Sequence, residues 1–254
     1  MSAADVKRTQ VGRLAAPVIG LMGLAVMISL IPVADTAADE PQKPAAAATE
    51  PAASDAKQES AKWRPLFDGK SLTNWKATDF GGQGSVVIRE KEHVMRLEQG
   101  EPLTGITWTG KDLPRVNYEI RLEAKRVDGN DFFCGLTFPV KKNSCTLILG
   151  GWGGGLTGIS SINGFDASEN ETTDFVSFDN GKWYEVRVVV TDTHIKAWLG
   201  DDMLADVDYS EKNIDVRIEM ELCKPLGLAS FQTVSDIRNF RIRELKPEDT
   251  KEGP

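Results

Sequence analysis

Alternation between apolar and polar side chains constrains this chain more than any other feature. Val116, Tyr118, Ile120, Leu122 and Ala124 alternate with Asn117, Glu119, Arg121, Glu123 and Lys125. Tyr184, Val186, Val188 and Val190 form the apolar set of a second run, and Ile195, Ala197 and Leu199 follow after a turn at Asp192-Thr193. Val216, Ile218, Met220 and Leu222 alternate with Arg217, Glu219 and Glu221, as Phe240 and Ile242 do with Asn239, Arg241 and Arg243. A period of two belongs to strands with one face in a core. Asp68-Gly69, Asp128-Gly129-Asn130, Asn163-Gly164, Asn180-Gly181 and Gly200-Asp201-Asp202 separate the runs as turns. No sustained helical period appears after Trp63. The pattern predicts an all-β chain, two antiparallel sheets packed as a jelly-roll sandwich larger than an immunoglobulin module.

The alternation stops before Trp63. Residues 39–62 hold eight Ala and three Pro among Glu, Gln, Lys and Ser, with nothing apolar larger than Ala. Such a segment cannot offset its ordering entropy by burial, so a disordered linker is expected there. Before it, Lys7, Arg8 and Arg13 precede an apolar run from Leu14 to Ala34. Basic residues stay on the cytoplasmic side, so the rest of the chain is expected to be exported, to the periplasm or cell envelope. The run is about 20 residues, which suits either a signal peptide cut after Ala38 or a retained membrane anchor. The domain expectation is therefore residues 1–38 as address, 39–62 as linker, 63–246 as sandwich and 247–254 as a disordered tail.

Charge narrows the partners. The chain carries 30 basic and 38 acidic residues, a formal −8. Without residues 1–38 the balance is 27 minus 36, or −9. No basic stripe remains for nucleic acid or anionic lipid, and a neutral carbohydrate suits this balance better. The membrane enters only through the N-terminal segment, if it is uncleaved. Cys134, Cys145 and Cys223 form neither a disulfide framework nor a zinc site. Cys134 and Cys145 can pair across neighbouring strands, or all three can be buried thiols.

Several motifs recur together. Trp63-Arg64-Pro65-Leu66-Phe67-Asp68-Gly69-Lys70-Ser71-Leu72-Thr73-Asn74-Trp75 opens the domain, and Gly181-Lys182-Trp183-Tyr184-Glu185-Val186-Arg187 lies in its middle. Ile195-Lys196-Ala197-Trp198-Leu199 with Asp206 comes next, and Leu226-Gly227-Leu228 with Phe240-Arg241-Ile242-Arg243-Glu244-Leu245 closes it. Over residues 63–245 the chain resembles the 3-keto-disaccharide hydrolase family. The resemblance implies a concanavalin A-like sandwich, action on oxidised disaccharides, and export from a bacterial cell. Members of that family carry a mid-domain strand that points a carboxylate and an amide into a groove. Here the matching stretch is Cys145-Thr146-Leu147-Ile148-Leu149-Gly150-Gly151-Trp152, without the acid, so that role is not carried over.

A ketone at C3 of a sugar acidifies the proton on C2. A base removes it, and the glycosidic oxygen leaves from C1; this needs a base, an acid and a stabiliser for the enolate. The candidates cluster in residues 150–174. Glycines flank Trp152 and can expose its indole for stacking on a sugar, or leave it as a core plug. Asp166, Glu169 and Glu171 are the candidate catalytic acids, with Asp174 beside them. In an extended segment Glu169 and Glu171 share one face. The same oxygens can hold Ca²⁺, or form a solvated loop. Asn130, Asp131, Asn163 and Lys224 are candidate substrate contacts, and Glu219 and Glu221 lie on the polar face of their expected strand. His93 and His194 lack a matching nucleophile, which speaks against a Ser/His/Asp triad. Two functions remain open: a hydrolase or lyase for keto-disaccharides or related glycosides, and a non-catalytic glycan-binding module.

Overall fold

A computed structural model describes residues 63–246. The N-terminal address, the linker and the tail expected from the sequence lie outside the described residues. Among those described, no helix is long and apolar enough to cross a membrane.

The described chain is a concanavalin A-like sandwich of two antiparallel sheets. In chain order the strands are β1 (Arg64–Pro65), β2 (Trp75–Ala77), β3 (Val86–Arg89), β4 (Val94–Leu97), β5 (Leu103–Trp108), β6 (Tyr118–Asp128), β7 (Cys134–Val140) and β8 (Asn143–Gly151). They continue as β9 (Leu156–Ser160), β10 (Asp174–Phe175), β11 (Trp183–Val190), β12 (His194–Leu199), β13 (Asp202–Asp208), β14 (Gly227–Phe231) and β15 (Val234–Glu244). The first sheet has eight strands, ordered β13-β12-β11-β6-β15-β4-β3, with β1 on β15. The second has seven, ordered β10-β9-β8-β7-β14-β5-β2.

Register explains the alternation in the first sheet. Ala124, Leu122, Ile120 and Tyr118 sit opposite Tyr184, Val186, Val188 and Val190, and all are buried between the sheets. From the second sheet, Leu136, Phe138, Leu147, Leu149, Ile159, Ile106 and Leu228 close the same core. The expected turns at Gly69, Gly129, Gly164, Gly181 and Gly200 all have positive φ, the region that a Cβ disfavours.

The opening and closing motifs meet. Arg64 and Pro65 pair with Ile242 and Arg241, and the Leu66 and Phe67 amides both donate to the Phe240 carbonyl, at 2.8 and 3.2 Å. Trp75 Nε1 donates to the Leu66 carbonyl at 2.8 Å, and its ring packs edge-on against Trp108 at 5.0 Å. These motifs fasten the two ends of the described residues to each other and into the core.

One expected strand is absent. The alternation from Val216 to Leu222 folds instead as a 3₁₀ helix, Ile218–Cys223. Of its apolar residues Met220 and Cys223 are buried, while Ile218 and Leu222 are 84% and 54% exposed. A spacing of three, the 3₁₀ period, is what reaches the neighbouring sheet. Glu219 and Glu221 therefore leave a helical turn, not a sheet face. The cysteines are free and buried. Register sets Cys134 opposite Leu149 and Cys145 opposite Phe138, so the pairing considered from spacing is not formed. Burial pushes all three thiols up to about 12.

Candidate functional site

The outer face of the second sheet is covered, and the cover makes the site. Every residue of β5, β7 and β9 is buried, as in a sheet packed on both sides. Met220 and Cys223 from the 3₁₀ helix join Leu103, Val216 and Ala229 in a small apolar cluster on this face, with Phe80, Phe132 and Phe231 against it. Beside this cluster a pocket of about 290 Å³ stays open. Leu103, Thr146, Ile148, Ser160, Met220, Phe132 and Phe231 line it, together with Asp131, Trp152, Arg217 and Glu219.

Local backbone sets the rim. The β8–β9 register shifts between Leu149 and Gly151, a bulge that turns the chain just before Trp152. Trp152 has φ 49° and is 46% exposed, so it is no core plug. The next turn lies against the loop after β6. A Cβ on Gly154 would stand 2.7 Å from the Asn130 carbonyl, so only glycine fits there. Asp131 ties the two together. Its Oδ1 accepts the Phe132 amide at 2.7 Å and its Oδ2 accepts the Gly153 amide at 3.0 Å.

Arg217 also lines the pocket. Its Nη1 donates to Asp166 Oδ2 at 2.6 Å and its Nε to Glu219 Oε2 at 3.1 Å. Its guanidinium lies 5.6 Å from the Trp152 ring centroid, a cation–π distance. Burial works against its charge, but the Glu219 and Asp166 carboxylates outweigh that and hold the guanidinium more firmly protonated than usual. The pocket thus pairs one braced cation with one carboxylate, Asp131, that has no ion-pair partner among the described residues.

The sequence candidates are distributed unevenly around this geometry. Trp152 and Asp131 line the pocket, and Asp166 reaches it through Arg217. Asp166 Oδ1 also accepts from the Ser168 amide at 2.9 Å, so both its oxygens are engaged. Glu169 and Glu171 are exposed and do not line the pocket. Their segment is a turn, not a strand, closed by Glu169 N–H to Asp166 O at 3.1 Å and Thr173 N–H to Asn170 O at 3.1 Å. The shared extended face expected for the two is not formed. Lys212 pairs with Glu171 and holds its carboxyl below the usual range. Asn130 is exposed at its turn. Asn163 is used locally, its Oδ1 accepting the Asn213 amide at 2.8 Å. Lys224 Nζ donates to Asp215 and Glu221, each at 2.8 Å, outside the pocket lining.

The Ca²⁺ expectation finds no cage. Asp166 is taken by Arg217, Glu171 by Lys212, and among the described residues no three His, Cys, Asp or Glu side chains converge on one point. Sequence reasoning missed Arg217, Phe132, Phe231, Leu103 and the Thr146 and Ser160 hydroxyls. Thr146, polar in the apolar run Cys145–Leu149, carried a visible signal; Arg217 carried none.

Fold and family together define a carbohydrate-active β-sandwich protein. The family model of the 3-keto-alpha-glucoside-1,2-lyase-like domain matches residues 62–243, and the chain belongs to that family. No functionally curated sequence matches it. Among solved structures it is similar to the carbohydrate-binding module CBM66 from Bacillus subtilis, with 14% identity, 67% of this chain and 96% of that chain covered, and TM-score 0.46. The apo Crh5 transglycosylase gives 8%, 73%, 84% and 0.48 in the same order. Domain 4 of AbnA, a GH43 extracellular arabinanase from Geobacillus stearothermophilus in complex with arabinotriose, gives 15%, 74%, 94% and 0.45. Similarity at this level carries nothing about the site.

Proposed function

We propose that the chain is an exported lyase acting on 3-keto-glycosides, with the pocket beside Trp152 as its active site. The observation that carries this reading is Arg217, a guanidinium on the pocket wall braced by two carboxylates and facing an indole. Elimination needs a fixed positive charge where the enolate oxygen develops, and a cation held in advance costs no reorganisation in the transition state. Asp131 is the base. Two backbone amides anchor its oxygens, yet each keeps a lone pair, and no cation among the described residues neutralises it. It takes the C2 proton, and the C1–O bond breaks as the C1–C2 double bond forms; the departing oxygen takes a proton from solvent at the open pocket and leaves as an alcohol, and Asp131 gives the C2 proton back to solvent. Family membership supports the substrate class, and the basic-then-apolar N-terminal run supports export. In the test, the purified full chain meets a 3-keto-glucoside, and released alcohol and the conjugated enone are measured together. Both should appear, and Asp131→Asn and Arg217→Ala should each lower kcat/KM about 100-fold. Release that is unchanged in both variants would sink the assignment.

A second reading is glycan binding without turnover. It is favoured by β8, which presents Thr146 and Ile148 to the pocket and no carboxylate. Saturable binding of the keto-glucoside with no alcohol released would decide for it.

A further inference from the structure

We infer that the buried end of the pocket takes an apolar aromatic aglycone, so that the preferred substrate is an aryl 3-keto-glycoside, not a disaccharide. The inference rests on the lyase reading above and deepens it. Polarity in the pocket varies with depth. Arg217, Glu219 and Trp152 are the exposed members of the lining, and Asp131 is half-buried. Leu103, Ile148 and Met220 are buried, and the half-buried rings of Phe132 and Phe231 pack together at 5.8 Å with a 40° tilt. The most exposed lining side chains are thus Arg217, Glu219 and Trp152, and the most buried are Leu103, Ile148 and Met220 with the Thr146 and Ser160 hydroxyls among them.

The inner end offers little to a second sugar. Its polar side chains are Thr146 and Ser160. Thr146 Oγ1 already shares a hydrogen bond with Thr137 Oγ1 at 3.0 Å, and Ser160 Oγ lies 3.5 Å from Ser161 Oγ. A glucosyl aglycone brings several hydroxyls, and each one left unpaired on entering carries a desolvation penalty. A flat apolar ring meets no such penalty and gains from burial and from ring–ring contact with Phe132 and Phe231. Size agrees. A dry cavity of about 150 Å³ suffices for benzene, so a pocket of about 290 Å³ holds one planar ring system with the reacting end of a sugar at its mouth.

Two measurements on the full chain test this. The first is binding of 4-methylumbelliferone alone, a flat bicyclic aromatic phenol. Saturable binding is expected, weakened about tenfold by Phe231→Ser and by Ile148→Ser, with circular dichroism showing that each variant stays folded. The second compares kcat/KM for a 3-keto-glucoside of 4-methylumbelliferone with that for a 3-keto-glucosyl-glucose; the aryl substrate should lead by about tenfold or more. Equal turnover, or a lead for the disaccharide, overturns the aglycone assignment and leaves the lyase reading standing. Saturable binding of the phenol without turnover of either substrate supports the aromatic site and removes the lyase. Absence of saturable binding overturns the inference.

Discussion

The two outer faces of this sandwich solve the same problem in opposite ways. On the eight-stranded sheet the outward residues are charged and satisfy one another. Glu119 is wholly buried among Arg121, Arg187 and Arg243, which approach its oxygens at 2.7, 2.7 and 2.6 Å. Asp236 is held by Arg96 at 2.6 Å and Lys125 at 2.8 Å, and Trp63, Trp183 and Trp198 lie under arginine or lysine heads. On the seven-stranded sheet the outward residues include Gly105, Gly135, Gly158, Thr137 and Thr146, small groups against which a helical turn and a loop press. On the first face the charges pair within the sheet; on the second Arg217 is braced by Asp166 and Glu219, and Asp131 on the same pocket has no ion-pair partner among the described residues.

The largest expected effect breaks the charged face. Glu119→Ala leaves three guanidinium groups around an empty site, and removing one partner of a buried ion pair typically costs about 3–5 kcal/mol. These arginines are 14% to 34% exposed, so water takes part of their charge and a loss of about 3 kcal/mol is expected in chemical denaturation. A loss below about 0.5 kcal/mol would mean that the cluster adds nothing to stability.

The same face predicts an acid limb. Burial alone would push the Glu119 carboxyl up, but the bonds from Arg121 and Arg243 and the nearby Arg187 outweigh it and hold it below the ordinary value. Asp236 behaves likewise, burial being outweighed by Arg96 and Lys125. A carboxyl depressed in the folded state contributes stability that is complete above its unfolded pKa, about 4.3 for Glu and 3.9 for Asp. That stability is lost as pH falls through the lower folded values. The stability difference between the wild type and Glu119→Ala should therefore be constant from about pH 7 to about 5 and shrink below about 4. A difference that grows on acidification would mean that burial, not the arginines, controls the Glu119 carboxyl.

Legibility in the sequence divides along the same line. Tyr118–Lys125 and Tyr184–Val190 alternate cleanly because the first sheet has one solvated face, and that pattern alone gives the sandwich. The 3₁₀ helix at Ile218–Cys223 was illegible because its residues alternate as a strand does, and only contact with the second sheet selects Met220 and Cys223 for burial. Trp152 and Asp131 were findable, since glycines and a turn mark loops that carry sites. Arg217 was not. Its role depends on Asp166, fifty-one residues away in sequence, and no local pattern reports a contact of that range.

The smallest expected effect on stability falls on the pocket side, and it sharpens the comparison most. Trp152 is 46% exposed, and its ring meets Arg217 at 5.6 Å. A residue so placed supports little of the core, so Trp152→Ala should shift unfolding by no more than about 0.5 kcal/mol. Binding should respond differently. The indole walls the pocket mouth and helps to hold the Arg217 plane, and an aromatic contact of this kind is worth about 1 kcal/mol. Affinity for a keto-glucoside should fall about fivefold. A stability loss comparable to that of Glu119→Ala, with affinity unchanged, would make Trp152 part of the scaffold and merge the two faces into one structural role. Unchanged stability with weakened binding keeps them apart, because it assigns to the glycine-flanked turn a contribution that only a ligand reveals.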